Sequence, residues 1–570
     1  MKKKVMQYLA VFLAALLVSA CGGGNADNTA SPVNENNQTA DTQTPDSESS
    51  ATEAHESEAP VAVSDGRTPL TLLMPAAVFI TDYDTNEQTL YLEDAMNVDL
   101  TIQTVPSEGA EEKVNIILAS GDLPDIFVSL MSDRNDMMTK YGVDEGLIIA
   151  VDDLIQTHAP NTLKAISKYG NNILDTCRMI DGKLYSMIGF DRCHHCNHYQ
   201  KMWVYQPFLD ALGLEVPTTT DEFYEVLKAF KDQDPNGNGI ADEVPLSACA
   251  NGWGNDLDVF LISSFTYFDR WYEGFYVENG VIKNTLEMDE YKEGLKYMNM
   301  LYKEGLIYEN AMTQDMASLI RQGENPEAPI LGFSTGGAIG VFVGNDSERM
   351  FDYRPVGPLK GPSGYQTSPT YPSYPHNGRW VISADCEYPE VAVALGDKML
   401  EPEVTLMTNA GGKEGNFWRW GEPGEVGFDG QPAKWFALKP WQNQEPQNES
   451  WIQFGLIDFA DLRASQAYDP TINMWGLEGV EYMLYTVTMD MYVPYARNFL
   501  LPPLNFLAED QEQVSLLRAE LKPYMEATQF DFIFGGKDIE SNWESYVNEL
   551  QTMIEPLRVL YQAAYDRQYK

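Results

Sequence analysis

The sequence predicts an α/β protein, and three observations carry that expectation. Short apolar runs and helical patterns alternate along residues 67–570. Hydrophobic residues make up 44% of the chain and aromatics 12%, a composition that builds buried cores and does not belong to a disordered acidic polymer. The length of 570 residues exceeds one domain, since domains hold roughly 100–200 residues each.

Residues 1–20 read as a secretory leader. Lys2, Lys3 and Lys4 form a positive start, and an apolar run from Tyr8 to Val18 is too short to span a bilayer. The run ends at Val18-Ser19-Ala20-Cys21, followed by three glycines. This resembles a bacterial lipobox, in which Cys21 becomes the acylated first residue; an ordinary cleaved signal is the plainer alternative. Residues 22–66 carry nine acidic residues and no Lys or Arg, and are expected to form a disordered, self-repelling tether.

Within the body, residues 70–74 form an apolar run ending at Pro75, a first strand, and Leu100 to Val105 alternates like a second. Glu111 to Ser120 reads as a helix, Gly121 to Pro124 as a turn, and Asp125 to Leu130 as a buried strand. Asp152 to Thr157 reads as a short helix stopped by Pro160. Thr219-x-x-Glu222 is a capping box, and Phe223, Val226, Leu227 and Phe230 follow at helical spacing. Further helical patterns cover 312–320, 389–399, 511–526 and 539–562.

Charge excludes some functions. With Lys+Arg 38 against Asp+Glu 85, the net charge is −47, which excludes nucleic acid as partner and electrostatic adhesion to anionic lipid. Most of that charge lies in the body, where it reads either as a solvated surface or as a field that repels polyanionic ligands.

The capped helix leads into Asp234-Pro235-Asn236-Gly237-Asn238-Gly239-Ile240-Ala241-Asp242-Glu243. Oxygen-bearing side chains at alternate positions, glycines between them and two closing carboxylates suit Ca²⁺, which takes about six to eight oxygens. Ile240 would give only its backbone carbonyl. An Asx-rich turn is the bland alternative. An EF-hand frame starting at Asp232 also fits, but it would draw its first ligand from the last turn of the helix.

Cys193-His194-His195-Cys196-Asn197-His198 combines zinc-type ligands with redox spacing, while a local disulfide or idle thiols fit an extracellular protein equally. Cys177, Cys249 and Cys386 follow no pattern.

The order of motifs resembles one family: the extracellular solute-binding lipoproteins of bacterial ABC importers, relatives of the alginate- and maltose-binding proteins. The motifs are Ser120-Gly121-Asp122-Leu123-Pro124-Asp125-Ile126, Val151-Asp152-Asp153-Leu154-Ile155 with Ala159-Pro160-Asn161, Asp181-Gly182-Lys183-Leu184-Tyr185, and Leu212-Gly213-Leu214 running through Pro217-Thr218-Thr219 into the 234–243 loop. The resemblance implies two α/β lobes joined by a hinge, with ligand in the cleft between them. It places 67–187 plus 375–440 in the first lobe and 188–374 plus 441–570 in the second. It also implies calcium ligands at Asp234, Asn236, Asn238, Ile240, Asp242 and Glu243; the side chain of Ile240 departs from the polar residue of the relatives.

Sugar rings present apolar C–H faces edged by hydroxyls, so aromatics beside amides and carboxylates suit them. Of 11 tryptophans, Trp418, Trp420, Trp435, Trp441 and Trp451 fall in 418–451, and Trp253 sits between Gly252 and Gly254. Core packing is the ordinary role of any one tryptophan. Loop context singles out Trp253 and Trp418, with Trp271 close by. Phe79, Asp82 and Tyr83 follow the first strand, where ligands bind in doubly wound sheets.

The expected protein is a lipid-anchored monomer on the outer face of the cell membrane. It would pass an oligosaccharide, neutral rather than polyuronate, to an ABC permease, with structural Ca²⁺ and no organic cofactor. A surface glycosidase is the alternative from another class, although no nucleophile elbow, HExxH or phosphate loop is present. A sensory binding lipoprotein and a peptide binder are the other readings.

Overall fold

In the computed structural model, residues 66–570 are described apart from 78, 107–108, 191–192, 345–346, 372–374, 440–445 and 453. The leader, Cys21, nearly all of the tether and Trp441 therefore lie outside the described residues. The first apolar run forms β1 (Thr68–Ala76), followed by α1 (Glu87–Met96), β2 (Val98–Pro106), α2 (Ala110–Ser120) and β3 (Ile126–Val128). Then come α3 (Asp152–His158), α4 (Pro160–Tyr169) and β4 (Met187–Gly189). Pro160 ends α3 by opening α4, where its missing N–H costs nothing in the first turn.

The second lobe starts with β5 (Met202–Tyr205), α5 (Thr220–Asp232) and β6 (Val244–Ser247). It continues through α6 (Asp289–Lys303), α7 (Met316–Gly323), β7 (Leu331–Thr335) and β8 (Tyr353–Val356). The chain then returns as β9 (His376–Ile382) and α8 (Pro389–Met399), and ends in two long helices, α9 (Ala508–Phe534) and α10 (Ile539–Tyr569). The capping box forms as expected: the Glu222 backbone N–H donates to Thr219 Oγ1 at 3.1 Å, and the Thr219 N–H donates to Glu222 Oε2 at 3.2 Å.

The first sheet has the order β2-β1-β3-β9-β4. β1 pairs parallel with β2 and β3, with Leu72 opposite Ile126, and β9 enters antiparallel with Trp380 opposite both Val128 and Met187. Alternate residues feed opposite faces: Leu72, Ile126, Val128 and Trp380 join one core, Leu73, Phe127 and Val381 the other. Burial on both faces is why these strands read as continuous apolar runs. The second sheet has the order β8-β5-β7-β6, and Phe333 at its centre meets Phe223 and Phe230 of α5 at ring distances of 4.9 and 5.3 Å.

The chain therefore passes from one sheet to the other between β4 and β5, back between β8 and β9, and a third time after Ile457. Of the stretch 441–570 expected in the second lobe, the part around Trp451 to Leu456 packs on the first lobe, while α9 and α10 pack on the second-lobe core. Trp451 and Leu456 are buried with Leu72 and Trp380 of the first lobe. The Trp451 indole N–H donates to Thr89 Oγ1 at 2.9 Å, and its backbone N–H to Gln88 Oε1 at 3.0 Å, so α1 holds this stretch. Among the described residues no helix is long and apolar enough to cross a membrane.

Candidate functional site: an aromatic group in the interlobe region

The turn at 269–273 organises one wall of the site. The backbone N–H of Trp271 donates to Asp269 Oδ1 at 2.8 Å. Glu273 takes a left-handed φ of 46°, and its buried carboxylate receives Arg518 at 2.9 and 3.1 Å. Pinned on both sides, the turn leaves the Trp271 ring 64% exposed. Its indole N–H donates to the Tyr199 hydroxyl at 2.7 Å.

Tyr199, from the first crossing, stacks on Tyr371, from the second, at 4.5 Å. Its other neighbour is Trp253, 41% exposed, nearly parallel at 6.2 Å. Two glycines make this arrangement possible. A side chain at Gly337 would overlap the Trp253 ring, and one at Gly254 would overlap the Tyr199 carbonyl oxygen. The result is a pair of exposed indoles seated on two stacked tyrosines.

Polar groups lie among and behind these rings. Gln200 Nε2 donates to Asp256 at 2.6 Å, and Arg270 reaches Asp258 at 2.7 Å and Asp256 at 3.6 Å. Burial, then the neighbouring Asp258, pushes the Asp256 carboxyl up. Burial pushes Asp269 up to about 7. Among the described residues, Asp269 Oδ2 and Gln200 Oε1 are buried oxygens without a hydrogen-bond partner. Apolar ring faces beside unsatisfied acceptors are what a polyhydroxylated ligand needs.

A cavity of about 630 Å³ extends from the same turn and is lined by both lobes. Its charged lining is balanced: Asp133, Asp136 and Glu273 against Arg134, Arg518 and Lys522. Arg134 pairs with Asp136 at 2.7 Å, and Asp133 faces His376 of β9 at 3.2 Å.

The structure thus brings Trp253 and Trp271 together. Phe79, Asp82 and Tyr83 follow β1, as expected, and residues 447–448 hold the first two. The Gln447 N–H donates to Phe79 O at 2.7 Å, and the Asp82 N–H to Asn448 Oδ1 at 3.1 Å. Tyr83 turns back, donating its hydroxyl to Pro75 O at 3.1 Å, and its ring packs on the first-lobe core.

Trp418 is a correction. It is fully buried with Leu406, Trp435, Ile457, Phe459 and Leu462, and its indole N–H donates to Gly412 O at 3.0 Å. The residues around it form a strand, Trp418–Trp420, paired with Trp435–Ala437, so it does not line the cleft. Tyr199 and Tyr371 escaped the sequence reading, since nothing local marks either one and the two crossings alone bring them together.

The acidic loop follows α5, which runs through Asp232, so an EF-hand frame starting there would take its first ligand from helix. Asp234 takes a φ of 47°, and Gly237 and Gly239 take 69° and 78°, which wraps the loop tightly. Asn236 and Asn238 both turn their side chains to Asp242, at 3.0 and 3.2 Å. Glu243 Oε1 is buried without a partner among the described residues, and burial, followed by Asp242 and Asp234, pushes its carboxyl up. A concentrated set of carboxylate and amide oxygens with one orphaned acceptor fits a hard divalent cation.

Cys193 and Cys196 form a disulfide, which takes up both sulfurs that a zinc site would need. Cys177, Cys249 and Cys386 are buried free thiols.

With this geometry in place, similarity to known proteins narrows the class. Residues 80–405 match the model of the bacterial extracellular solute-binding protein family. The chain is 28% identical over 496 residues to the fructooligosaccharide ABC transporter substrate-binding protein FusA of Streptococcus pneumoniae, covering 84% of this chain and 86% of that one. The structure of FusA with kestose superimposes with a TM-score of 0.71 at 24% identity, covering 88% of this chain and 99% of that one. A FusA EF-hand mutant with fructo-nystose gives the same TM-score of 0.71 at 23% identity, with the same coverage. A solute-binding protein of Bifidobacterium longum infantis that binds human milk oligosaccharides also reaches 0.71, at 20% identity and 88% and 99% coverage. These likenesses establish a two-lobed α/β binding-protein fold. The chain belongs to the bacterial extracellular solute-binding protein family.

Proposed function

We propose that the protein captures a neutral oligosaccharide at the interlobe aromatic group and delivers it to the permease of an ABC importer. The observation that carries this reading is the pair of exposed indoles, Trp253 and Trp271, braced by Tyr199 and Tyr371 beside buried acceptors without partners. Indole faces stack on sugar C–H surfaces, while Asp269 Oδ2 and Gln200 Oε1 offer acceptors to hydroxyl groups. The balanced charge of the adjoining cavity, in a strongly acidic protein, favours a neutral ligand over a polyuronate. FusA, which takes fructooligosaccharides, supports the same ligand class.

In this reading Cys21 carries the lipid, residues 22–66 form the tether, and a monomer works at the outer face of the membrane. Calcium is held by Asp234, Asn236, Asn238, Asp242 and Glu243 with the carbonyl of Ile240. Its contribution is structural, neutralising carboxylates that the loop crowds together. The EF-hand named for the FusA mutant supports a metal loop in this group of proteins.

Titration calorimetry against kestose, neutral milk-type oligosaccharides and oligogalacturonates tests the reading. Saturable binding of a neutral oligosaccharide without turnover is the expected result. Product release, or binding of the uronates alone, would overturn it.

A further inference from the structure

The turn 193–198 is the part of the molecule that the ligand reading leaves unexplained. It lies in the first crossing, between β4 and β5, and is closed by the Cys193–Cys196 disulfide. The Asn197 N–H donates to Cys193 O at 3.0 Å. Behind the turn, Lys201 is fully buried, and its ammonium donates to His195 O at 3.0 Å and to His198 O. The His195 and His198 carbonyls are therefore drawn toward this ammonium, and the His194 and His195 side chains turn to other partners.

Each of those side chains meets a different part of the protein. The His195 ring stands edge-on to Trp253 at 6.1 Å and 72°. His195 Nε2 lies 3.4 Å from an Arg463 guanidinium nitrogen, and Arg463 pairs with Glu481 at 3.0 Å. The His194 ring stands edge-on to Tyr485 at 5.6 Å. On the backbone, the Tyr371 N–H donates to Asn197 O at 2.9 Å. One small disulfide-closed turn thus touches an exposed ring of the site, a tyrosine of the stacked pair beneath it, and the Arg463–Glu481 pair beyond the first-lobe stretch.

We propose that the Cys193–Cys196 disulfide is a positioning element of the binding site, holding the turn from which His195 buttresses Trp253, so that reducing it weakens sugar binding without unfolding the protein. The inference rests on the oligosaccharide reading above and adds a redox dependence to the same site. The bond closes a ring of only four residues, so it constrains the unfolded chain less than a longer loop would, and its effect on the native state is local. Outside the cytoplasm the oxidised form persists.

Reduction needs a thiol reductant. Its thiolate attacks Sγ of Cys196, the less buried of the two residues, and breaks the S–S bond. Cys193 leaves as a thiolate, to which the Cys196 N–H already points at 3.2 Å. A second thiol of the reductant resolves the mixed disulfide. Two electrons and two protons end on the two cysteines, and the reductant departs as a disulfide.

The test measures kestose affinity of the full chain oxidised, after treatment with excess dithiothreitol, and as the C193S/C196S variant. Both open forms are expected to bind about tenfold more weakly, while the far-ultraviolet circular dichroism is unchanged. His195→Ala should weaken binding similarly, and dithiothreitol should then add little. Equal affinity of oxidised and reduced protein would overturn the inference. If the oxidised protein binds neither kestose nor a neutral milk-type oligosaccharide, the ligand reading fails instead. Hydrogen exchange at 251–255 then decides: faster exchange on reduction supports the positioning role, and unchanged exchange rejects it.

Discussion

The Trp271 indole N–H donates to the Tyr199 hydroxyl across 2.7 Å, tying the most exposed tryptophan of the site to the first crossing. The bond fixes the ring plane before ligand arrives, so little side-chain freedom is lost on binding. Trp271→Ala is expected to weaken oligosaccharide binding about tenfold or more, with the melting temperature unchanged. Tyr199→Phe keeps the stack on Tyr371 but frees the indole, and should weaken binding by less. Calorimetry on the two variants checks the order; equal affinity of Trp271→Ala and wild type would remove Trp271 from the site.

Trp418 should behave in the opposite way. It fills a core among Leu406, Trp435 and Phe459, and its N–H is satisfied by Gly412. Trp418→Ala is expected to destabilise the protein by about 3–5 kcal/mol, the range for truncating a buried aromatic. Affinity per folded molecule should stay within about twofold. Denaturant melts with the binding measurement separate the two effects, and a selective loss of affinity would return Trp418 to the ligand.

These two tryptophans mark how much was legible in the sequence. Local signals carried well: the Thr219–Glu222 capping box, α8 at Pro389–Met399 and the apolar β1 all form where propensity and periodicity put them. Trp253 sits between two glycines and Trp418 follows a glycine-rich loop, so local context marks them alike. What separates them is pairing with residues distant in sequence. Trp418 is drawn into a strand pair with Trp435–Ala437, while Trp253 rests on Gly337 and Tyr199. Likewise, Trp451 binds α1 through Gln88 and Thr89, a contact that no spacing rule reveals. The site is made of residues from several loops, and only the topology brings them together.

The 234–243 loop predicts a metal-linked stability. Chelation with EDTA should lower the melting temperature, and calcium should restore it. At calcium tenfold above its dissociation constant the gain is about 1.4 kcal/mol. Glu243→Gln removes a carboxylate whose buried oxygen has no partner among the described residues, and should abolish most of the chelator response. Scanning calorimetry with and without EDTA decides; a metal-free preparation that melts at the same temperature would exclude the ion.

Asp269 predicts a pH dependence with a definite sign. Burial holds its carboxyl up to about 7, against 3.8 for the free side chain. The native state therefore keeps a proton that the unfolded chain has lost between these values, and stability falls as pH rises from about 4 to 7. The full gap corresponds to about 4 kcal/mol at about 1.36 kcal/mol per unit. His198, held down to about 4 by burial, acts oppositely, because the unfolded chain binds that proton first and stability rises over the acid range. The two contributions overlap in the wild type, so the difference between wild type and Asp269→Asn isolates the carboxyl. The amide keeps an acceptor for the Trp271 N–H and cannot ionise. Relative to wild type, the variant should therefore gain stability progressively from pH 4 to 7 in urea melts. A constant difference across that range would show that Asp269 is already ionised in the folded protein.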